Sequence, residues 1–347
     1  MRVKSTVVLG VMLWSFAVSV PVWAQQYDAR RNGDVVQLED KKNETVVSII
    51  TSVGMMAYEM KVKGQNVLRF PFKSIDEFKV KPAGLHGIPL LAPWANRLDE
   101  QAFYANGKRY AFDMSLGNVT GAIPIHGFMS RTDQWQVVDV KADGKAAWVT
   151  SRLDTSKQAD WMKQWPFAHT IDMTYRLSEG TLEVETTIAN MSAEPMPVSV
   201  GFHPYFQLTD SPRDEWTISV GARTHLKLTP NKLPTGETEP IGAPYTGGVP
   251  LRGYDIDDGF SDLVRDGQGR ATMSVIGRSQ RIDVRFGPNY RAAVVWSLQP
   301  HTFICFEPMA AITNALNLAQ KGLYKELQSI APGGTWRESF WISPTGF

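Results

Sequence analysis

The sequence contains a single cysteine, Cys305, so an intramolecular disulfide is excluded. Stability then has to come from a buried core, and the 43% of hydrophobic residues is enough to build one. Charge of one sign is not in excess, because 36 Lys+Arg face 35 Asp+Glu and the formal net charge is +1. No stripe of lysine and arginine occurs, so we expect no nucleic-acid partner, which would need clustered cations.

Several motifs that carry chemistry are missing. The chain has no glycine-rich phosphate loop, dinucleotide fingerprint, paired CxxC or HExxH, which removes the usual support for nucleotide, redox and zinc-protease functions. It also lacks the Gly-x-Ser-x-Gly turn of serine hydrolases. Asp255, Asp257 and Asp258 precede Gly259, but the spacing and distal glutamate of a calcium loop are absent. We therefore expect neither a cofactor nor a bound metal.

The N-terminal residues 1–24 have the pattern of a cleaved secretory signal. Arg2 and Lys4 precede an apolar run at residues 7–20, and Ala24 supplies a small residue before a polar stretch. The alternative, an uncleaved anchor, is disfavoured because the run is shorter than the ~20 apolar residues that span a bilayer. The pattern predicts a periplasmic or secreted protein, with no membrane contact after cleavage and one domain at residues 25–347.

Alternation of apolar and polar residues indicates β-strands along much of the remaining chain. The clearest pair is residues 171–177 and 182–188, which flank Ser178-Glu179-Gly180 and predict an antiparallel hairpin. Residues 281–286 and 216–220 repeat the pattern.

Turn residues separate such runs, while helical periodicity is scarce. Asn106-Gly107, Asp143-Gly144 and Asp266-Gly267 each tolerate the positive φ angles of tight hairpins. Only residues 310–321 have the spacing of a modest helix. The predicted fold class is all-β, a large antiparallel β-sandwich.

Four short segments place histidine, glutamate, asparagine or arginine among aromatic residues and glycine. They are Pro93-Trp94-Ala95-Asn96-Arg97, Ile125-His126-Gly127-Phe128, Gly201-Phe202-His203-Pro204-Tyr205-Phe206 and Cys305-Phe306-Glu307-Pro308. In this order they resemble the aldose 1-epimerase (galactose mutarotase) family, over about residues 52–341. The resemblance implies a galactose mutarotase-like supersandwich with a groove on one sheet, and a small sugar as the partner.

The resemblance also implies roles for individual residues. His203 corresponds to the general acid, Glu307 to the general base, and His126 to a supporting catalytic group. Asp258 competes with Asp257 as a ligand of sugar hydroxyls. The implied substrate-binding residues are Asn96, Arg97, Asp257 and Gln299.

The residue types themselves suit the opening and closing of a sugar ring. A base takes the proton of the anomeric hydroxyl while an acid protonates the ring oxygen, and a carboxylate and an imidazole can both be tuned for this near neutral pH. Period-two geometry puts Glu307 on one face with Phe303 and Cys305, where burial raises its pKa. A neighbouring Arg97 would lower that pKa, so the sequence leaves the net direction of the pKa shift open.

Other functions remain open. The sequence after His126 resembles relatives that act on modified or phosphorylated hexoses more than simple galactose mutarotases, which leaves the sugar undetermined. A non-catalytic carbohydrate-binding protein is one alternative. A glycan-cleaving enzyme on the same fold is another, with Glu307 and Asp257 as its two carboxylates. Trp94 is expected in the core, whereas Trp161 and Trp165 suit either packing or a groove wall.

Overall fold

The computed structural model describes residues 25–80, 84–115, 117, 119–242, 245 and 248–347. The predicted signal at residues 1–24 lies outside these ranges. Strands make up most of the ordered elements and helices are few and short, so the predicted all-β class is confirmed.

The described strands are numbered in chain order. The first ten are β1 (Tyr27–Asn32), β2 (Val35–Asp40), β3 (Thr45–Ile50), β4 (Met56–Val62), β5 (Gln65–Asn66), β6 (Leu90–Leu91), β7 (Ala102–Ala105), β8 (Lys108–Ala111), β9 (Val119–Thr120) and β10 (Ile123–Pro124). The next seven are β11 (Gln136–Ala142), β12 (Ala147–Asp154), β13 (His169–Ser178), β14 (Thr181–Asn190), β15 (Met196–Val198), β16 (Gly201–Phe202) and β17 (Tyr205–Phe206). The remainder are β18 (Thr217–Val220), β19 (Ala222–Leu228), β20 (Pro234–Pro240), β21 (Val249–Pro250), β22 (Ile256–Leu263), β23 (Ala271–Ile276), β24 (Arg281–Phe286), β25 (Ala292–Ser297), β26 (Ile304–Met309), β27 (Gln328–Ile330) and β28 (Thr335–Thr345).

Helical structure in the described residues is limited to short pieces. The α-helices are α1 (Ile75–Val80), α2 (Ala159–Gln164) and α3 (Ala315–Gln320), and 3-10 turns occur at Thr155–Lys157 and Arg213–Glu215. No helix in the described part of the chain combines the length and the apolar character needed to cross a membrane.

Two large sheets dominate the architecture. A nine-stranded sheet has the order β11-β12-β13-β14-β28-β24-β23-β18-β21. An eight-stranded sheet has the order β20-β19-β22-β25-β26-β16-β6, with β17 also paired to β26. A five-stranded sheet, β1 to β5, precedes them, and the pairings in all three sheets are antiparallel. Phe202 of the eight-stranded sheet contacts Phe340 of the nine-stranded sheet at 4.9 Å between ring centroids, so the two share a core.

The hairpin predicted around residue 179 is confirmed as β13 and β14. Alternate residues along both strands are buried, and Ser178 pairs with Thr181 across the turn. Glu179 and Gly180 both have positive φ, which suits the twist of a two-residue hairpin.

All three predicted turn dipeptides lie between paired segments, but only one of them adopts the expected positive φ angles. Asn106 and Gly107 both have positive φ in the β7–β8 turn. At the other two turns the aspartate carboxylate accepts backbone N–H groups instead. Asp143 accepts from the amide of Lys145 at 2.7 Å, and Asp266 accepts from that of Gln268 at 2.8 Å.

The helix predicted at residues 310–321 is shorter than expected. Ala310 donates its backbone N–H to the carbonyl of Val200, so this part of the segment is bonded to a neighbouring strand rather than to a helical turn. Asn314 then adopts a left-handed conformation with φ 62°, and α3 begins only at the next residue. Tertiary pairing has therefore overridden the local periodicity.

Candidate active site

A cavity of about 320 Å³ opens on one face of the eight-stranded sheet. Six of the seven residues expected at the site line it, together with several that were not expected there. The lining residues are Gly84, Leu85, His86, Asn96, Arg97, Ile125, His126, His203, Tyr205, Asp257, Trp296, Phe303 and Glu307.

Strand register brings His203 opposite Glu307. β26 pairs with β16 through Met309 and Gly201, and with β17 through Cys305 and Tyr205. His203 lies midway between those two pairs, so it faces Glu307, the residue midway along the partner strand. Nε2 of the imidazole is 3.2 Å from Oε1 of the carboxyl group.

Both members of this pair are held in place and almost removed from solvent. Glu307 is 1% exposed and His203 is 8% exposed. The backbone N–H of His203 donates to the carbonyl of Pro89, and its ring stacks on Tyr205 with centroids 4.6 Å apart. The second carboxyl oxygen of Glu307, Oε2, is buried without a hydrogen-bond partner among the described residues, and is therefore available to a ligand.

His126 is fixed by Asn96 in one tautomer. The backbone N–H of Asn96 donates to Nδ1 of His126 at 3.1 Å, and the N–H of His126 donates to the carbonyl of Asn96 at 3.0 Å. An Nδ1 that accepts carries no proton, so the neutral ring holds its proton on Nε2. The ring packs edge-on against that of His203 with centroids 5.4 Å apart, so His126 lies beside the His203–Glu307 pair.

A tight backbone approach supports this arrangement. Asn96 and His126 both have φ 60°, and Gly127 follows with φ 58°. A Cβ on Gly127 would lie 2.0 Å from the carbonyl oxygen of Ala92, so only glycine fits there. The glycine that follows His126 is thus a steric requirement of the site.

Arg97 and Asp257 bring a positive and a negative group to the cavity wall. Nη1 of Arg97 donates to Oδ1 of Asn96 at 3.1 Å, which orients the guanidinium. Asp257 lines the cavity from β22, directly across from Trp296 of β25. Asp258 points to the opposite face, where its carboxylate accepts from the hydroxyl of Tyr245 at 3.1 Å. Of the two aspartates, Asp257 alone lines this cavity.

Burial shifts His203 and Glu307 toward their neutral forms. It raises the pKa of Glu307 well above the usual value, with a further increase from Asp257 and an opposing effect of Arg97. Burial also lowers the pKa of His203 to about 3, and it lowers the pKa of His126 well below the usual value. The question left open by the sequence is thus resolved toward a raised Glu307 pKa.

Gln299 lies outside the cavity, which corrects its expected position. It is exposed in a turn after β25, and its side-chain amide donates to Asp214 at 3.3 Å. A matching place in sequence order therefore did not bring Gln299 to the cavity.

Aromatic residues divide between core and cavity. Trp94 is buried, as expected for a core residue, and its ring centroid lies 4.5 Å from that of Phe112. Trp165 packs on Phe103 at 4.4 Å, and Trp161 packs near Phe128, so neither lines the cavity.

His86, Trp296 and Phe303 line the cavity without having been assigned a role there. The only sequence signal was the aromatic content near Glu307 and the histidine before Gly87. Within the described residues, no group of three or more His, Cys, Asp or Glu side chains is arranged to hold a metal ion.

A larger cavity of about 510 Å³ lies further along the same sheet, beside Thr224 and Ser261. It contains no histidine, and its acidic residues Asp262 and Glu326 are exposed. The smaller cavity is the better active-site candidate because it gathers buried titratable groups with shifted pKa values.

Comparison with known proteins identifies the family and the fold. The family model described as aldose 1-epimerase matches residues 34–343. A galactose mutarotase-like protein from Clostridium acetobutylicum has a similar structure, with a TM-score of 0.80 and 24% identity over 92% of this chain and 98% of that one. A protein from Synechocystis sp. PCC 6803 follows with a TM-score of 0.71 and 24% identity over 93% and 99% of the two chains.

Galactose 1-epimerase from Lactobacillus acidophilus NCFM is more distant in sequence, at 14% identity over 92% of this chain and 97% of that one, with a TM-score of 0.69. At these identities the solved structures establish the fold, and the family match covers nearly all of the described chain. The chain belongs to the aldose 1-epimerase family.

Proposed function

We propose that the protein is an aldose 1-epimerase that interconverts the α and β anomers of a hexose. The observation that carries this proposal is the buried contact of 3.2 Å between Nε2 of His203 and Oε1 of Glu307 at the cavity. A binding protein has no need for an acid and a base that share one proton beside the cavity. Family membership supports the same chemistry.

Ring opening needs one proton removed and one added. In the reactive form Glu307 is a carboxylate and His203 an imidazolium. Glu307 takes the proton of the anomeric hydroxyl, the bond between C1 and the ring oxygen breaks, and His203 protonates that oxygen. The products of this step are the open aldehyde, a protonated Glu307 and a neutral His203.

Ring closure reverses both transfers after rotation about the C1–C2 bond. His203 takes the proton from the former ring hydroxyl as this oxygen attacks the other face of C1, and Glu307 returns a proton to O1. The pair holds one proton in total in both states. Direct transfer across the 3.2 Å contact therefore converts the neutral pair, which burial favours, into the reactive ion pair.

The surrounding residues position the sugar. Nε2–H of His126 donates to an oxygen near the anomeric centre, while Arg97 and Asp257 bind hydroxyl groups. Arginine presents a planar fork that suits two vicinal oxygens, and a carboxylate accepts from two hydroxyls.

The test is polarimetric relaxation of freshly dissolved α-galactose and α-glucose with the mature protein and its Glu307→Gln variant. The wild type is expected to accelerate relaxation, and the variant to lose about 10²- to 10⁴-fold in kcat. Glu237→Gln is the matched control, because Glu237 is exposed and pairs with Lys227 away from the cavity.

If the protein accelerates the mutarotation of no free hexose, the proposal that it is a hexose mutarotase is contradicted. Activity confined to hexose 6-phosphates would identify a hexose-phosphate epimerase, and binding without turnover would identify a carbohydrate-binding protein. Release of new reducing ends from oligosaccharides would identify a glycan-cleaving enzyme.

We further propose a periplasmic or secreted location, supported by the pattern of residues 1–24. We propose a small-molecule sugar as the partner in this reaction.

A further inference from the structure

The larger cavity of about 510 Å³, beside Thr224 and Ser261, lies on the same face of the eight-stranded sheet as the candidate active site. We call it the second cavity. Ser261 and Asp257 are four residues apart on β22, so their side chains point to the same side of the sheet. None of the residues that line the second cavity also lines the cavity of His203 and Glu307. The two cavities are therefore separate sites on one surface.

Short side chains on three neighbouring strands form the floor of the second cavity. Thr238 of β20, Thr224 of β19 and Ser261 of β22 line it. The hydroxyls of Thr224 and Ser261 are hydrogen-bonded to each other at 2.8 Å. Because these side chains are short, the strands leave room above them for a small molecule, and the volume is in the range of known small-molecule sites.

Apolar side chains form much of the wall of the second cavity. Leu226, Leu263 and Ile312 line it and are almost fully buried. Leu323 lines it too and is 52% exposed. Covering an exposed leucine removes apolar surface from water, so this wall suits a ligand that has an apolar body.

Two arginines bring positive charge to the second cavity, and their protein partners are backbone carbonyls. Arg265 donates through Nη1 to the carbonyl of Gly287 at 3.1 Å and through Nη2 to that of Tyr290 at 2.8 Å. Arg291 donates through Nη1 to the carbonyl of Glu326 at 2.9 Å. In the described part of the chain, no carboxylate oxygen lies within 4.0 Å of either guanidinium.

The carboxylates that line the second cavity do not neutralise these arginines. Oδ1 of Asp262 pairs with Nη1 of Arg223 at 3.0 Å, and the side chain of Glu326 is exposed, where salt and water screen its charge. Backbone carbonyls carry no formal charge. The wall therefore keeps the positive charge of two guanidinium groups.

The two guanidinium groups also lie close enough to repel each other. Burial lowers the pKa of Arg265, Glu338 opposes this shift, and the charge of Arg291 lowers the pKa further. An anion bound beside Arg291 would relieve this repulsion.

We propose that the second cavity binds a small organic anion that has an apolar body. Its carboxylate or phosphate accepts hydrogen bonds from Arg291, whose other N–H groups make none to a described residue. Its apolar body packs against Leu226, Leu263 and Leu323. The site does not depend on the proposed function, because it shares no lining residue with the cavity of the acid–base pair.

The test is calorimetric binding of 1-naphthoate, 1-naphthyl phosphate and uncharged 1-naphthylmethanol to the full mature protein at pH 7. The three ligands share one ring system, so differences in affinity among them report the contribution of the charged group. At least one of the two anions is expected to bind about tenfold or more tightly than the alcohol, which is the scale of a hydrogen bond to a charged group.

Three variants locate the ligand. Arg291→Gln is expected to weaken the tighter anion about tenfold and to leave the alcohol almost unchanged, whereas Arg97→Gln in the other cavity should change neither. Thr238→Trp on the edge strand β20 is expected to weaken all three ligands by filling the cavity, with circular dichroism as the check on its fold. Arg278→Gln is the matched control, because Arg278 is exposed and pairs with Glu215 outside both cavities.

Equal affinity for the anions and the alcohol would overturn the proposal, and so would the absence of binding by all three. An anion affinity that falls in Arg97→Gln but not in Arg291→Gln would also overturn it, because the ligand would then occupy the cavity of His203 and Glu307. None of these measurements depends on turnover of a sugar, so their outcome is separate from that of the proposed function.

Discussion

Asn96 and His126 are separated by thirty positions in the sequence and exchange two hydrogen bonds, in each of which a backbone N–H is the donor. One of these bonds ends on Nδ1 of His126 and so fixes the proton of the neutral ring on Nε2. The other ends on the carbonyl of Asn96. The pairing therefore sets both the ring's position and the direction of the hydrogen bond that it offers to a ligand.

The first prediction concerns this tautomer. In His126→Asn, the side-chain oxygen takes the position of Nδ1 and accepts from Asn96, but the distal Nε2–H donor is lost. Asparagine also tolerates the left-handed conformation at this position. We expect kcat/KM for the hexose to fall about 10²-fold, by analogy with loss of one transition-state donor, and the unfolding midpoint in urea to change little.

His126→Phe is the comparison variant, because it removes both ring nitrogens, the Nδ1 acceptor and the Nε2–H donor. It leaves the buried N–H of Asn96 unpaired and is expected to cost about 1–3 kcal/mol of unfolding free energy as well as activity. Equal activity of wild type and His126→Asn would show that the Nε2 donor plays no part.

The second prediction concerns Gly127. Gly127→Ala places a Cβ against the carbonyl of Ala92 and forces a left-handed alanine, so we expect a loss of about 3–5 kcal/mol in unfolding free energy and displacement of His126. Gly107→Ala is the matched control: its φ is 74°, but no atom lies within 4 Å of the added Cβ. That variant should lose only about 1 kcal/mol of unfolding free energy and keep full activity. Similar urea midpoints for the two variants would contradict the steric argument.

The structural elements that could be predicted from the sequence are those determined by local patterns of residues. Strands β13 and β14 follow from alternation and a positive-φ turn, and the face shared by Phe303 and Glu307 follows from strand geometry. The contact of His203 with Glu307 depends on register between segments a hundred residues apart, so only the family resemblance could suggest it.

The family resemblance gave the wrong position for Gln299, which lies in a turn. Gln299 has the right place in sequence order, but the turn after β25 directs its side chain to Asp214. The helix expected at residues 310–321 was shortened for a related reason, since Ala310 bonds to Val200 across the sheet. Neither long-range bond has a signal in the sequence.

The third prediction separates the two adjacent aspartates. Asp257→Asn is expected to lower kcat/KM about 10- to 100-fold, because hydrogen bonds from sugar hydroxyls to a carboxylate are stronger than those to an amide. Asp258→Asn is expected to affect stability instead, by about 1–3 kcal/mol, because it weakens the contacts with Tyr245 and His225.

Steady-state kinetics and urea unfolding of both variants check this division. Gln299→Ala serves as the control that should leave kinetics and stability close to wild type, since its side chain is exposed and outside the cavity. A larger kinetic defect in Asp258→Asn than in Asp257→Asn would reverse the assignment.

The fourth prediction is the pH dependence of kcat/KM. Activity requires one proton on the pair of His203 and Glu307. Acid adds a second proton, but burial lowers the pKa of His203 from 6.5 to about 3, so the acidic limb should lie well below pH 6.5. Alkali removes the only proton, and because the pKa of Glu307 is raised from 4.5, the alkaline limb should lie well above that value. The expected profile is a broad bell.

The buried histidines should make stability fall in acid before activity does, an effect that the raised pKa of Glu307 opposes. A folded-state pKa of His203 below its unfolded value of 6.5 contributes stability that is fully present above pH 6.5 and is lost as pH falls toward 3. The reason is that the unfolded chain binds a proton that the folded chain excludes. His169, which is buried with a pKa lowered to about 4, adds to the same loss. Relaxation rates, corrected for the spontaneous rate at each pH, and circular dichroism on the same samples separate the two effects. A fall in activity through pH 6.5 with the fold intact would show that His203 titrates as an ordinary imidazole.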